Sequence, residues 1–127
     1  MNIYYRGSQW GLGGTCVNVG CIPKKLFHIS NLIKEDILMS EDYGWKNHIE
    51  ESKLEHDWTV LRTNVQNYIK GINFGYKSKL KEIGVDYVNA KARFRDHNTI
   101  EFHYGSNNQS YELKAKNFVI AAGLRPR

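Results

Sequence analysis

Two cysteines and two prolines are all that this 127-residue chain contains of either type. So few cysteines cannot build the disulfide framework of a small secreted domain. No stretch approaches the ~18 consecutive apolar residues that a membrane-spanning helix needs. The opening MNIYYRGSQWG lacks a basic region followed by an apolar core, so it does not read as a secretory signal. Its one arginine and its lack of acidic residues are too little to mark a transit peptide. Charge of one sign is not concentrated either. The formal net charge of +5 is spread over Lys24 and Lys25, the stretch YKSKLK at 76–81, Lys91, Arg93, Arg95 and the terminal RPR. No arginine-rich run or aromatic-interleaved basic stripe is present, so the excess reads as a solvated surface. A phosphate-bearing ligand or an acidic partner is the alternative, and nucleic acid is a poor fit.

The chain is globular in class, with 41% hydrophobic and 24% charged residues. Residues 1–9 show no clear period. A glycine-rich turn follows at Gly11, Gly13 and Gly14. From Pro23 to about Met39 apolar residues recur at helical spacing: Leu26, Ile29, Ile33 and Ile37, widened by Phe27, Leu32 and Leu38. Pro23 suits a first helical turn, where its missing N–H costs nothing. The stretch SEDYGW breaks the pattern, and residues 46–56 read as a polar loop. Asp57 is a candidate N-cap for a second long helix, whose stripe runs Trp58, Leu61, Val65, Tyr68, Ile69, Ile72, Tyr76, Leu80, Ile83. Gly84 is its candidate C-cap.

Beyond Gly84 the pattern changes to short strands at 85–94, 99–104 and 110–115, joined by RDHN and GSNNQ turns: a β-meander. The last segment, FVIAAG at 118–123, is a continuous apolar run and predicts a strand buried on both faces. Such a strand needs neighbours that the sequence does not offer. The layout is α/β, with two long helices, a three-stranded meander and one buried core strand, and it reads as an excerpt of a longer protein.

Both cysteines lie in WGLGGTCVNVGCIPKKL, at positions 16 and 21. In a regular helix, five steps separate them by about 7.5 Å along the axis and turn them to different faces. A disulfide needs Cα atoms within about 6.8 Å. A bridge therefore requires a distorted helix head, and Gly20 and Pro23 stand where the distortion would fall. The same place favours thiolate, because a helix N-terminus carries partial positive charge and Lys24 and Lys25 add to it. On spacing alone a redox pair leads. Two free core thiols, a static staple and a zinc half-site stay open, although His28, His48, His56, His97 and His103 have no ligand spacing. The GLGGT run can let backbone N–H groups approach a phosphate, but it is not G-x-G-x-x-G and equally serves as a tight turn.

The segment GGTCVNVGCIPKK closely resembles the redox-active disulfide segment of the FAD-dependent pyridine-nucleotide disulfide oxidoreductases. WGLGGTC, IPKKLFH, DYGWK, HDW, VQNYI and NFGY resemble most the branch of the high-molecular-weight thioredoxin reductases. The terminal FVIAAGLRPR resembles the strand that ends the family's first FAD-binding portion. The likeness covers residues 10–127, read as a partial FAD/NAD(P)-binding domain, while residues 1–9 form a divergent start.

The resemblance implies electron flow from NADPH to FAD, then to a Cys16–Cys21 disulfide and on to thioredoxin. Cys21 would face the flavin as the charge-transfer thiolate, and Cys16 would be the interchange thiol. Gly14, Thr15, Cys16, Gly20 and Cys21 would line the FAD. Lys24 would stand near the reactive edge of its ring system, and Lys91 and Ala92 near its adenine end. Ala122 occupies the place of the family's usual Thr in ATG, which removes a hydroxyl contact there. No metal is implied. Lys25 reads as a surface cation, His28 as a packing or solvent-facing residue, and Trp10, Trp45 and Trp58 as packing anchors. The complete enzyme would be a homodimer in the cytoplasm or mitochondrion, with no nucleic-acid or membrane role. These residues include neither the family's G-x-G-x-x-G unit nor its NADPH repeat, dimerisation domain or C-terminal redox centre, so they are expected to be inactive alone. A glutathione or thioredoxin–glutathione reductase fragment is the nearest alternative, and a non-catalytic product with an inert disulfide the more distant one.

Overall fold

The structure is a computed structural model that describes residues 11–46, 50–104 and 109–123. The chain divides into two compact units, one of Thr15–Asn73 and one of Met1–Gly14 with Phe74–Arg127.

Helices dominate the first unit. A short helix α1 (Gly14–Val19) is followed directly by α2 (Cys21–Met39), with Gly20 between them. The expected helix from Pro23 therefore starts two residues earlier, and Pro23 falls inside its first turn. The Lys24 N–H donates to the Gly20 carbonyl at 3.1 Å, closing the first helical turn around the proline. The helix tightens into a 3₁₀ turn at Ser40–Tyr43 and stops at Gly44, which has φ 85°. That is the expected break at SEDYGW. The polar loop contains one 3₁₀ turn, Glu51–Lys53. Its Glu51 accepts from Lys34 Nζ of α2 at 2.8 Å. The Lys34 ammonium holds the Glu51 carboxyl below its ordinary value.

The second long helix, α3 (Trp58–Glu82), starts where its cap predicts. Asp57 Oδ1 accepts from the N–H of Thr59 at 2.7 Å and of Val60 at 3.1 Å. At the far end the Val85 N–H donates to the Leu80 carbonyl and the Gly84 N–H to the Lys81 carbonyl. Together with Gly84 at φ 76° this is a Schellman ending. Phe27 of α2 stacks on Trp58 of α3, ring centroids 5.4 Å apart. Trp58 makes this ring contact while remaining 57% exposed, and Trp45 is 67% exposed, so neither is the buried anchor expected of it. Trp10 and His48 lie outside the described residues. Among the described residues Val17 and Val65 are the buried apolar ones.

The meander belongs to the second unit. Strands β1 (Lys91–Phe94), β2 (Thr99–Tyr104) and β3 (Gln109–Lys114) pair antiparallel in the order β1-β2-β3. Ala92 faces Phe102, which faces Tyr111, and Phe94 faces Ile100, which faces Leu113. One face of the sheet is therefore apolar, with Phe102 stacked on Tyr111 at 5.7 Å. The other carries Arg93, Glu101, Ser110 and Glu112. Asp96 shapes the RDHN turn by accepting the Asn98 N–H at 2.8 Å. Of the GSNNQ stretch, residues 105–108 lie outside the described residues, and Gln109 opens β3, one residue before the expected strand.

Two expectations are corrected. The first strand begins at Lys91, not at Val85. In the observed register Lys91 pairs with His103, so residues before 90 would face positions beyond Tyr104, where β2 has ended. The second correction concerns 118–123, which forms no strand and is not buried. Val119 is 92% and Ile120 76% exposed. Only Phe118 packs, edge-on to Phe94 at 5.1 Å. An apolar run becomes a buried strand only when neighbouring strands supply its hydrogen bonds. Among the described residues none does.

Candidate functional site

The junction of α1 and α2 is built around Gly20. A Cβ placed there would stand 2.9 Å from the Thr15 carbonyl oxygen and 3.1 Å from the Cys16 Cα. Only a residue without a side chain lets the chain fold back this closely. The result is the distorted helix head that the spacing demands. Cys16 sits on α1, Cys21 is the first residue of α2, and their Cα atoms are 4.6 Å apart. The two sulfurs are bonded. That removes the free-thiol alternative for this pair. Both cysteines are exposed, so a nucleophile can reach the bridge. Cys21 also takes the helix N-terminal position, where the partial positive charge of the 19-residue α2 favours an anionic sulfur.

An open groove of about 520 Å³ adjoins the bridge, lined by Asn18, Val19, Gly20, Pro23, Lys24 and Phe27. Its wall is largely apolar, with one cation at the rim. On the glycine run before the bridge, Gly11, Gly13 and Gly14 have φ of 89°, 108° and 64°. These are conformations that side-chain-bearing residues seldom adopt. Space beside Gly14 is open, with no atom within 4 Å of a Cβ built there.

The structure gathers Thr15, Cys16, Gly20, Cys21 and Lys24 at this junction. Gly14, Lys91, Ala92 and Ala122 belong to the other unit. Ala92 pairs with Phe102 on the sheet, and Ala122 lies in the segment without strand structure. Lys25 and His28 are exposed, as read from the sequence. Among the described residues no group of three or more His, Cys, Asp or Glu could hold a metal ion. No helix of the described residues is long and apolar enough to cross a membrane.

Two features escaped the sequence reading. Asn73 Nδ2 of α3 donates to Asn18 Oδ1, between the two cysteines, at 3.1 Å. Nothing local in the sequence pairs residues 55 apart. On the meander the Glu101 carboxylate joins all three strands. It accepts from Arg93 Nε at 3.2 Å and Nη2 at 3.0 Å on β1, and from Ser110 Oγ at 3.1 Å on β3. These donors hold its carboxyl below the ordinary value, the Arg93 bond most of all. Arg95 pairs with Glu112 beside them. Counting back from a four-residue RDHN turn pairs Arg93 with Ile100, one residue off the observed register, in which Arg93 pairs with Glu101.

An exposed cysteine pair, bridged across a glycine break at the head of a long helix, defines a disulfide open to thiol exchange. The chain belongs to the pyridine nucleotide-disulphide oxidoreductase family, whose sequence profile matches residues 4–127. Among its relatives it is similar to thioredoxin reductase SEP1 of Emiliania huxleyi, 46% identical over 121 residues. That alignment covers 95% of this chain and 23% of the relative. It is 41% identical to mitochondrial thioredoxin reductase 2 of Drosophila melanogaster, over 95% of this chain and 23% of that protein. It is 40% identical to the thioredoxin reductase of Plasmodium falciparum (isolate 3D7), over 95% of this chain and 19% of that protein. The chain thus spans less than a quarter of the length of these curated relatives.

Proposed function

We propose that these residues carry the redox-active disulfide of an NADPH-dependent, FAD-containing enzyme that reduces thioredoxin. The observation that carries this reading is the exposed Cys16–Cys21 bridge at a helix N-terminus. Its support is the likeness to thioredoxin reductases on three branches. Residues 10–127 form part of the FAD-binding domain on this reading, and 1–9 a divergent start. The complete enzyme is a homodimer working in the cytoplasm or mitochondrion.

The residues at the junction fit a flavin. The groove offers Val19, Pro23 and Phe27 to a flat apolar ring system, and Lys24 a cation to its polar edge. By the family resemblance Gly14, Thr15, Gly20 and the two cysteines would line the same ligand, and Lys91, Ala92 and Ala122 would serve its distal part. FAD, when bound, would supply an electron pair drawn from NADPH. The Cys16–Cys21 bond takes up an electron pair and one proton from water and breaks, leaving a thiol and a thiolate. Helix α2 stabilises negative charge on Cys21. Cys16, on the shorter and separately hinged α1, attacks one sulfur of the next disulfide. The bond between that disulfide's sulfurs breaks and a mixed disulfide forms. The Cys21 thiolate then attacks Cys16 Sγ, the mixed disulfide breaks, the bridge re-forms and the acceptor leaves as a dithiol.

The test uses the 127-residue chain. Its bridge should open with a small dithiol, and the reduced chain should then reduce thioredoxin stoichiometrically. Without further chain it should not oxidise NADPH catalytically. A bridge that thiols cannot open would mark an inert disulfide and end the reading. Preferential transfer to oxidised glutathione over thioredoxin would redirect it to the glutathione reductase branch.

A further inference from the structure

The hydrogen bond between Asn18 and Asn73 lies where it can act on the disulfide without touching either sulfur. Helix α1 has six residues, too few to hold itself in place. At least three tethers fix it: the bridge from Cys16 to Cys21, the burial of Val17 and the bond that Asn73 donates to Asn18. Asn18 sits between the two cysteines, and Asn73 is on α3, a 25-residue helix anchored at both ends by its own caps.

We infer that Asn73 is a positioning residue for the thiol pair, holding the intercysteine turn against α3 when the bridge is open. The inference rests on the redox reading proposed above. Its logic is one of effective concentration. Reduction removes the first tether and leaves the other two. While they hold, Cys16 stays over Cys21, and the dithiol re-closes as an intramolecular reaction between pre-placed groups. Without the Asn73 bond, α1 swings more freely in the reduced state. Ring closure then costs more ordering, and the disulfide is less stable relative to the dithiol. Both amides are half-buried, so a hydrogen bond between them is worth more than one in open water. The balance is simple: two electrons and two protons open the bridge, and the Asn73 bond, present in the bridged form, limits how much further freedom α1 gains in the open one.

The experiment equilibrates the full chain with mixtures of reduced and oxidised glutathione and counts free thiols. It does so for the native chain, Asn73→Leu, Asn18→Ala and the double variant. Leucine keeps the volume and favours helix. The expected result is a shift of about fivefold to tenfold toward the dithiol in each single variant. Tenfold corresponds to about 30 mV for a two-electron couple. The double variant should shift by clearly less than the sum of the two single shifts, because both changes remove the bond the two residues share. Far-UV circular dichroism separates this from damage to α3, which would lower helicity in both redox states without moving their ratio. If Asn73→Leu loses helicity, Asn18→Ala reads the same link from the short helix. A native bridge that exchanges normally while the variants stay within twofold of it would overturn the inference and leave the redox reading standing. Fully additive shifts would overturn it too. A native bridge that never exchanges would overturn both.

Discussion

Gly20 shows how one missing side chain sets the chemistry of the junction. The 2.9 Å approach to the Thr15 carbonyl leaves no room for a methyl group. Gly20→Ala should push the turn open and cost roughly 1–3 kcal/mol, the usual range for overpacking. Thiol counting after air oxidation should find fewer bridged molecules in the variant than in the native chain. Complete bridging at the native rate would show that the turn has slack. At Glu101 the decisive property is charge. Its side chain is 17% exposed and held by Arg93 and Ser110. Its folded-state pKa is depressed, so its stabilising contribution is complete above the ordinary glutamate value of about 4.3. That contribution is lost as pH falls through the lowered value. Glu101→Gln keeps an acceptor but cannot titrate. The urea midpoint of the variant should therefore change less between neutral and acid pH than that of the native chain. An equal acid loss in both would assign the effect to other carboxylates, Asp96 first, whose carboxyl is lowered by the Asn98 N–H and the Thr99 hydroxyl. Much of the site was readable at this scale. Helix arithmetic requires a break between Cys16 and Cys21 if the two are to bridge, and Gly20 is where it occurs. Asn73 was unreadable because its partner is brought near only by the path of two helices.

At the scale of elements, the ends proved as legible as the middles. Asp57 and Gly84 carry local chemistry, a carboxylate for orphan N–H groups and a residue free to take positive φ, so they mark α3 without tertiary help. Asp57→Ala should lower helicity and cost about 1 kcal/mol, the common value for an N-cap. Circular dichroism at fixed temperature would register it, and an unchanged spectrum would mean the tertiary contact of Trp58 with Phe27 holds the end instead. The meander was legible in kind because its strands alternate, apolar to one face and polar to the other. Its extent was not. Strand length depends on how far the partner runs, and in the observed register residues 85–89 fall opposite positions past Tyr104, the last residue of β2. The same rule governs 118–123. Composition gives that segment a strong preference for a sheet interior, but a preference is realised only beside other strands.

For the molecule as a whole, the balance between covered and uncovered apolar surface is unusual. Among the described residues only Val17 and Val65 are buried hydrophobics. Both long helices expose part of their stripes, Ile33 at 53% and Tyr68 at 55% among them. The apolar face of the meander leaves Phe94 at 50% and Leu113 at 46%. Such faces are normally covered by another layer of structure.

 The matched region is 23%, 23% and 19% of the three relatives, so close to four-fifths of each lies outside it. The chain by itself should therefore behave as a surface in search of a cover. Among the described residues Val119 is the most exposed large apolar residue, at 92%, and its neighbour Ile120 is 76% exposed. They follow directly on a sheet in which β3 is an edge strand. An apolar run beside an open strand edge is the usual starting point for association between chains. The expected behaviour is concentration-dependent self-association by light scattering, with strong binding of an apolar dye. Replacing both residues by lysine, a charge that natural edge strands use to block pairing, should lower the association and the dye signal together. It should leave the Cys16–Cys21 bridge intact by thiol count, because that pair belongs to the other unit. A native chain that stays monomeric at every concentration and binds no dye would show that the exposed faces find cover within the chain itself. Loss of dye binding without loss of association would move the contact from 118–123 to the helix stripes, where Ile33→Lys and Tyr68→Lys become the variants that decide it.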